Sequence, residues 1–425
     1  MTTHAFPAGS PAGPADGRKD TVLITGLDVR AANGSGTDAF WQSALEGRSG
    51  IGPITRFDAS GYPSRLAGEI DAFDPAASLP GRLLPQTDRV TQLALTSAAE
   101  VLRDAGLDPA VLPEYGVGVV TANSAGGFEF GQRELESLWA KGPRHVSAYQ
   151  SFAWFYAVNT GQISIRHGLR GPSGVLVTGQ AGGLDAVGHA RRMLRKGTPA
   201  VLTGAMESAL CPWGYVAELT GNRLSTADRP EDACLPFGKH AAGQVVAEGG
   251  ALLVLESAAS ASARGSTRAY GELAGYAACF DPAPGTGRPG GLVRAARAAL
   301  ADAGTEPSAI GAVFAEGAAV PELDAQEAAA ITEVFGPHAV PVTAITSLTG
   351  RPGAGASALD LAAALLAVRD GLIPPTADVG RVPASHRIDL VTGRPRPLAG
   401  DAALVLARGH GGFNSAVVVR RADRP

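Results

Sequence analysis

Short apolar runs closed by glycine alternate along this chain with longer stretches in which apolar residues recur every three or four positions. TVLITG (21–26) predicts a buried strand ending at its glycine. Val90, Leu93, Ala94, Ala98, Val101 and Leu102 fall on one helical face, with Asp88 placed to cap the start and Gly106 to end it. YGVGVVT (115–121), VLVTG (175–179), AVLTG (200–204) and GGALLVLE (249–256) predict further strands; helices are expected after Gln180 and across much of 128–141. Regular alternation of the two element types predicts an α/β layered fold.

The pattern then repeats. LRDAGLDP (102–109) ends one helix and precedes the strand YGVGVV, and LADAGTEP (300–307) ends the helix that starts near Leu292 and precedes AVFAEG. Six of the eight positions are identical or exchange one acid for another. DAG is common helix-stop chemistry, but the matched context favours duplication. Two related halves, 20–260 and 261–425, are expected, joined through the small and polar ESAASASARGST. Residues 1–19, rich in Ala, Gly and Pro, are expected to be a flexible N-terminal arm.

Composition removes several function classes. With 45% hydrophobic residues and 18% charged ones, 425 residues are enough for a large core. A net charge of -4 leaves no basic field for nucleic acid. Cys211, Cys234 and Cys279 are widely spaced and odd in number, which indicates neither a disulfide framework nor a metal site and fits a reducing cytoplasm. No apolar run approaches the roughly 20 residues of a membrane span, and the N-terminus lacks a signal-peptide core.

VLVTGQAGGLDA (175–186) carries the sharpest chemical question. A strand, a glycine turn and a helix start form a pedestal on which a cysteine would be activated by the helix dipole. The residue presented there is Gln180, which cannot hold an acyl group as a thioester.

Together with SAGGFEFGQRELESLWAKGP (124–143), SFAWFYAVNTGQISIRHGLRGPSG (151–174), LPFGKHAAGQVVAEGGALLVLE (235–256), AEGAAVPELDAQE (315–327) and GHGGFNSAVVVRR (409–421), this pedestal resembles the β-ketoacyl synthases. Within that family it is similar to the chain-length factors, the ketosynthase β subunits of bacterial type II aromatic polyketide synthases. The resemblance covers about residues 21 to 422 and implies a thiolase-like fold, two duplicated α/β halves in five αβαβα layers. Condensing members use a cysteine, two histidines and a lysine. By the resemblance those positions fall here on Gln180, on Glu316 of AEGAAVPELD, and on Thr346 and Arg351 of TSLTGR; all four differ. Losing the nucleophile, both imidazoles and the ammonium removes the electrostatics of condensation.

The resemblance therefore implies a non-condensing subunit paired with a catalytic ketosynthase α subunit, with VLVTG as the pairing edge. It has no cofactor of its own; the phosphopantetheine arm of a transiently bound acyl carrier protein brings substrate to the complex. Partner and chain would enclose a tunnel for the growing polyketide. An alternative is that Gln180 assists decarboxylation of malonyl carrier protein to an acetyl starter, an activity associated with ketosynthase-like domains that carry glutamine there. Those domains keep their histidines, and an anionic Glu316 would oppose a developing enolate. A self-sufficient condensing homodimer needs a nucleophile, and no cysteine sits on a GQAGG-type turn; Cys211 and Cys234 read as packed thiols.

Phe128, Gly131 and Leu135 stand at i, i+3 and i+7, on one face of a helix. Spacing alone leaves open whether that face is core. The resemblance assigns it to the closed end of the tunnel, with Phe128 as wall and Gly131 and Leu135 leaving depth for about ten or more ketide units. Glycine in a helix interior costs roughly 1 kcal/mol against alanine, so Gly131 calls for a reason. Phe152, Trp154, Phe155 and Tyr156 read as core or interface packing, and His167 and His189 as structural. The glycines of GHGGFN (409–414) fit a tight turn with Phe413 packed beside the vestigial pocket, and those of LPFGKHAAGQVVAEGG are not a nucleotide loop.

Overall fold

The computed structural model describes residues 21–71, 73–283, 285–288 and 290–422; the expected arm over 1–19 lies outside them. The first half contains β1 (Val22–Ala31), α1 (Arg89–Asp104), β2 (Val117–Ala122), α2 (Phe128–Lys141), α3 (Val158–His167), β3 (Ser173–Leu176), α4 (Gly182–Arg195), β4 (Ala200–Glu207), α5 (Pro212–Leu219) and β5 (Gly249–Ser257). In the second half the main elements are β6 (Gly271–Phe280), α6 (Gly291–Asp302), β7 (Ile310–Phe314), α7 (Pro321–Phe335), β8 (Pro341–Thr343), α8 (Gly355–Asp370), β9 (Asp389–Leu390), β10 (Ala402–Gly409) and β11 (Phe413–Arg420).

Both halves use one wiring diagram. β1 pairs antiparallel with β5 and β5 with β4, then β4 pairs parallel with β2 and β2 with β3. β6, β11, β10, β7 and β8 repeat that series, two antiparallel pairings followed by two parallel ones. The two sheets meet edge to edge where Leu23 faces Glu272 and Ile24 faces Gly271, and β3 and β9 end the combined path. Helices α1 and α3 cover one outer face and α6 the other, while α4 and α8 fill the space between the sheets. All but the last two residues of α8 are buried, and apart from Ser357 and Asp360 the buried ones are Gly, Ala, Leu and Val, as befits a helix with sheet on both sides. The result is the five-layered, duplicated thiolase-like architecture.

The repeated DAG has a structural job in each half. Asp104 Oδ2 accepts the backbone N–H of Leu27 at 3.0 Å, and Asp302 Oδ2 accepts that of Tyr276 at 2.9 Å. The residue before each acceptor's partner is a glycine: a Cβ on Gly26 would lie 2.8 Å from the Cβ of Ala105, and one on Gly275 would lie 2.8 Å from that of Ala303. Gly106 and Gly304 then end their helices at φ +59° and +58°. In both copies the acid fastens an irregular point of the half's first strand, and the alanine occupies the space its glycine leaves.

This explains where TVLITG departs from expectation. Gly26 marks a register shift rather than a stop, so β1 runs on to Ala31. The strand expected at 175–179 instead spans Ser173–Leu176, because the chain turns into a short 3₁₀ segment at Gly179–Ala181. The connection ESAASASARGST contains a helix, Ala258–Ala263, started by the Ser257 hydroxyl accepting from Ser260 N at 3.1 Å.

Candidate functional site

The pedestal is kept in place by packing. A Cβ on Gly182 would lie 2.9 Å from the Cβ of Ala122 and 3.0 Å from that of Ala354, and one on Gly183 would lie 2.7 Å from Ala358 N. Only glycines let the start of α4 press against α8. Gln180 is half-buried, and its Oε1 accepts the backbone N–H of His410 at 3.2 Å. The β10–β11 turn thus lies across the pedestal, with Gly411 and Gly412 at φ +87° and +96° making the turn. Phe413 packs on Phe280 beside it, ring centroids 4.4 Å apart.

Glu316, Thr346 and Arg351 all come together nearby, and all are buried. The Glu316 carboxylate contacts the Arg351 guanidinium directly and accepts from Arg408 Nε at 3.0 Å. Arg408 also reaches Glu327 at 3.5 Å, and the Glu327 carboxylate accepts the N–H groups of Glu316 and Gly317 at 2.9 and 3.1 Å. The Thr346 hydroxyl is 3.1 and 3.0 Å from the carbonyl oxygens of those same two residues. Arg351 further donates to the Gln244 side-chain oxygen and, at 3.4 Å, to the Arg408 carbonyl.

Burial pulls the Arg351 guanidinium down to about 10, helped by the neighbouring Arg408 charge and opposed by Glu218, which leaves it cationic at neutral pH. Burial pushes the Glu327 carboxyl upward against the pull of Arg408. Two guanidiniums, Arg351 and Arg408, thus face Glu316 and Glu327, with Glu218, Asp324 and Asp360 acting on the same charges. The Glu316 charge, expected to oppose a developing enolate, is faced here by both Arg351 and Arg408. Arg408 was missed in the sequence. Its signals were its place just before GHGGFN and the need of any buried acid for a cation.

The second region is the outer face of α2. Gly131 is buried because a ring lies against it: a Cβ there would be 2.8 Å from Trp213 Cζ3 and 3.6 Å from Trp154 Cβ. Phe128 meets Trp213 edge to face, with centroids 4.8 Å apart. Gln132 Oε1 accepts Trp213 N at 2.8 Å, tying α2 to the first turn of α5. The helical glycine thus makes room for an indole of the same chain, where the sequence reading expected open depth. Trp213 was not singled out there; a costly helical glycine was the available hint. Leu135, Trp154, Phe155, Tyr156 and Trp213 are each between 37% and 45% exposed, large apolar side chains left open to solvent on and around α2. Among the described residues, β3 pairs on one side only, with β2.

The cysteines are packed. Cys211 caps α5 by accepting Gly214 N at 3.4 Å, and burial pushes its thiol up to about 11 and that of Cys234 up to about 12. Cys279 is half-buried. His167 and His189 have their pKa values lowered, first by burial and then by neighbouring cations. Among the described residues, no helix is long and apolar enough to cross a membrane.

Family models match both halves: beta-ketoacyl synthase, N-terminal domain, over residues 19–261, and beta-ketoacyl synthase, C-terminal domain, over 270–380. The chain is 59% identical over 401 residues to the actinorhodin polyketide putative beta-ketoacyl synthase 2 of Streptomyces coelicolor, covering 94% of this chain and 98% of that one. Identity and coverage are the same for the tetracenomycin polyketide synthase ketoacyl synthase beta subunit of Streptomyces glaucescens. Among solved structures it is similar to the ishigamide ketosynthase/chain length factor, with TM-score 0.86, 28% identity, and 95% and 99% of the two chains covered. A type II PKS acyl-carrier protein in complex with its ketosynthase bound to the hexaketide gives TM-score 0.84 and 27% identity, again over 95% and 99%. The chain belongs to the β-ketoacyl synthase family, in the group of the polyketide ketosynthase β subunits.

Proposed function

We propose that this chain is the non-condensing, chain-length-setting subunit of a type II polyketide synthase in the bacterial cytoplasm. It pairs with a catalytic ketosynthase α subunit, and the polyketide stays thioesterified to that partner or to the phosphopantetheine arm of an acyl carrier protein. One observation carries the reading. At Gln180, Glu316, Thr346 and Arg351 there is no thiol, imidazole or ammonium; Glu316 and Arg351 pair with each other, the Thr346 hydroxyl bonds the backbone of 316 and 317, and the Gln180 oxygen faces the β10–β11 turn. The free edge of β3 and the aromatic surface of α2 remain available to a partner.

In this reading Phe128, Gly131 and Leu135 close the tunnel, with Trp213 held between the first two. A larger residue at 131 displaces the indole toward the partner and shortens the space. Gly131→Phe combined with Leu135→Trp, in a complex reconstituted with the α subunit and carrier protein, is expected to move the main product from about ten or more ketide units to fewer, read by mass spectrometry. An unchanged product length would remove these residues from the tunnel.

The matched charge on Glu316 favours a second reading, decarboxylation of malonyl carrier protein. The Gln180 amide N–H₂ would donate to the thioester oxygen as CO₂ leaves and the bond pair becomes the enolate, which takes its proton from solvent. Release of CO₂ by the isolated subunit, lost in Gln180→Ala, distinguishes this from a purely architectural role.

A further inference from the structure

Helix α2 starts without a side-chain cap of its own, since Gly127 occupies the cap position. Its first N–H groups need outside acceptors. Phe130 N finds one in Asp88 Oδ2 at 2.7 Å, while the other oxygen of the same carboxylate accepts Val90 N at 2.9 Å and caps α1. Asp88 is only 2% exposed, so one buried carboxylate closes the starts of two helices.

The two helices differ in how firmly they are held. α1 buries most of its length against β1 and β5, whereas α2 turns Leu135 and Trp139 to solvent and buries only Phe130, Gly131 and Glu134. The Arg56–Glu129 ion pair, at 2.6 Å on the first turn of α2, is partly open to water and therefore weak. The Asp88 bond grips the backbone one residue before Gly131, the residue against which Trp213 lies. Contact is close enough to require Gly127: a Cβ there would lie 2.8 Å from Asp88 Cβ.

We propose that Asp88 is a positioning residue for product length, its carboxylate fixing where α2 sets Phe128 and Gly131 against Trp213 relative to the rigid first sheet. This rests on the reading that the α2 face ends the tunnel. Asp88 touches no substrate; it acts through the backbone of α2.

Substitutions separate its two bonds. Asp88→Ser keeps a short oxygen for Val90 N but is too short to reach Phe130 N; Asp88→Asn keeps the reach but has one oxygen for the two donors, its amide N–H₂ facing the other. In the reconstituted complex the Ser variant is expected to hold its melting temperature near that of the unsubstituted protein while the share of off-length product rises about fivefold, as one lost helix cap allows. Asn, with a single oxygen to satisfy one donor at a time, is expected to give a distribution between those of Ser and the unsubstituted protein. Leu102→Ala, which softens the buried face of α1 without touching the bond, serves as the stability control. The proposal is overturned if the Ser variant makes the original products, or if Leu102→Ala shifts length as much as Ser does. Gly131→Phe run alongside tells the two levels apart. A shift there with none in Asp88→Ser removes only Asp88, and no shift in either removes the tunnel assignment with it.

Discussion

The pocket beneath the β10–β11 turn and the aromatic face of α2 have opposite surfaces. In the pocket Glu316, Glu327, Arg351 and Arg408 turn toward one another and Gln180 turns toward the overlying loop, so little is left to engage a ligand. On α2 and its neighbours large rings stand more than a third exposed with no polar reason to do so. A family member that has lost its catalytic groups is therefore better understood from what it leaves unsatisfied than from what it has substituted. Glu316, Thr346 and Arg351 have become core and Gln180 lies half-buried under the turn, while the apolar surface beside α2 still awaits a cover.

The sharpest way to break that contrast is to strand one charge in the pocket. Glu316→Ala leaves Arg351 buried without its direct partner, and Arg351→Ala does the reverse. Removing one partner of a buried ion pair costs about 3–5 kcal/mol, while replacing both by apolar residues of similar size is often neutral. Both single variants are expected to lose stability on that scale in urea unfolding, and Glu316→Leu combined with Arg351→Met to recover most of it. Losses below about 1 kcal/mol in the singles would mean the pocket is open and solvated, and the contrast with α2 would collapse.

The exposed face offers the next largest effect. Trp154 lies 45% exposed beside Gly131 and Trp213, where a partner surface would bury it. Truncating a central interface tryptophan typically costs at least about 2 kcal/mol, roughly thirtyfold in affinity. Trp154→Ala is expected to weaken association with the α subunit by that factor, measured by calorimetry, while circular dichroism of the isolated chain stays unchanged. Equal affinity would move the interface elsewhere.

The two regions were legible in the sequence to different degrees. Asp88, Gly106, the DAG pair and the alternation of elements are local signals, and they led to the layered, duplicated fold. Gly26 is local too, but a glycine that ends a strand and one that shifts its register look alike until the packed alanine is seen. Substitution at Gln180, Glu316, Thr346 and Arg351 could be read one position at a time. That Glu316 and Arg351 neutralise each other could not, because their contact and that of Arg408 join segments far apart in the chain. Trp213 stayed hidden for the same reason: the glycine that needs it is on α2 and the ring comes from α5.

The smallest effect tests whether the pocket's history can be undone at one position. Gln180→Cys restores a thiol to the pedestal and gives up one hydrogen bond to His410 N, worth about 1 kcal/mol or less at a half-buried site. Stability should barely change. The new thiol lies at the start of α4, whose dipole favours a thiolate, so alkylation by a small electrophile should be measurable. Condensation should still be absent when the variant is paired with an α subunit whose own cysteine is removed. No imidazole or ammonium stands at 316, 346 or 351 to draw out CO₂ or hold an enolate, and the guanidinium of Arg351 is committed to Glu316 and Gln244. Detectable carbon–carbon bond formation in that complex would show that the matched charges of the pocket still serve catalysis, and would return the chemistry to this subunit.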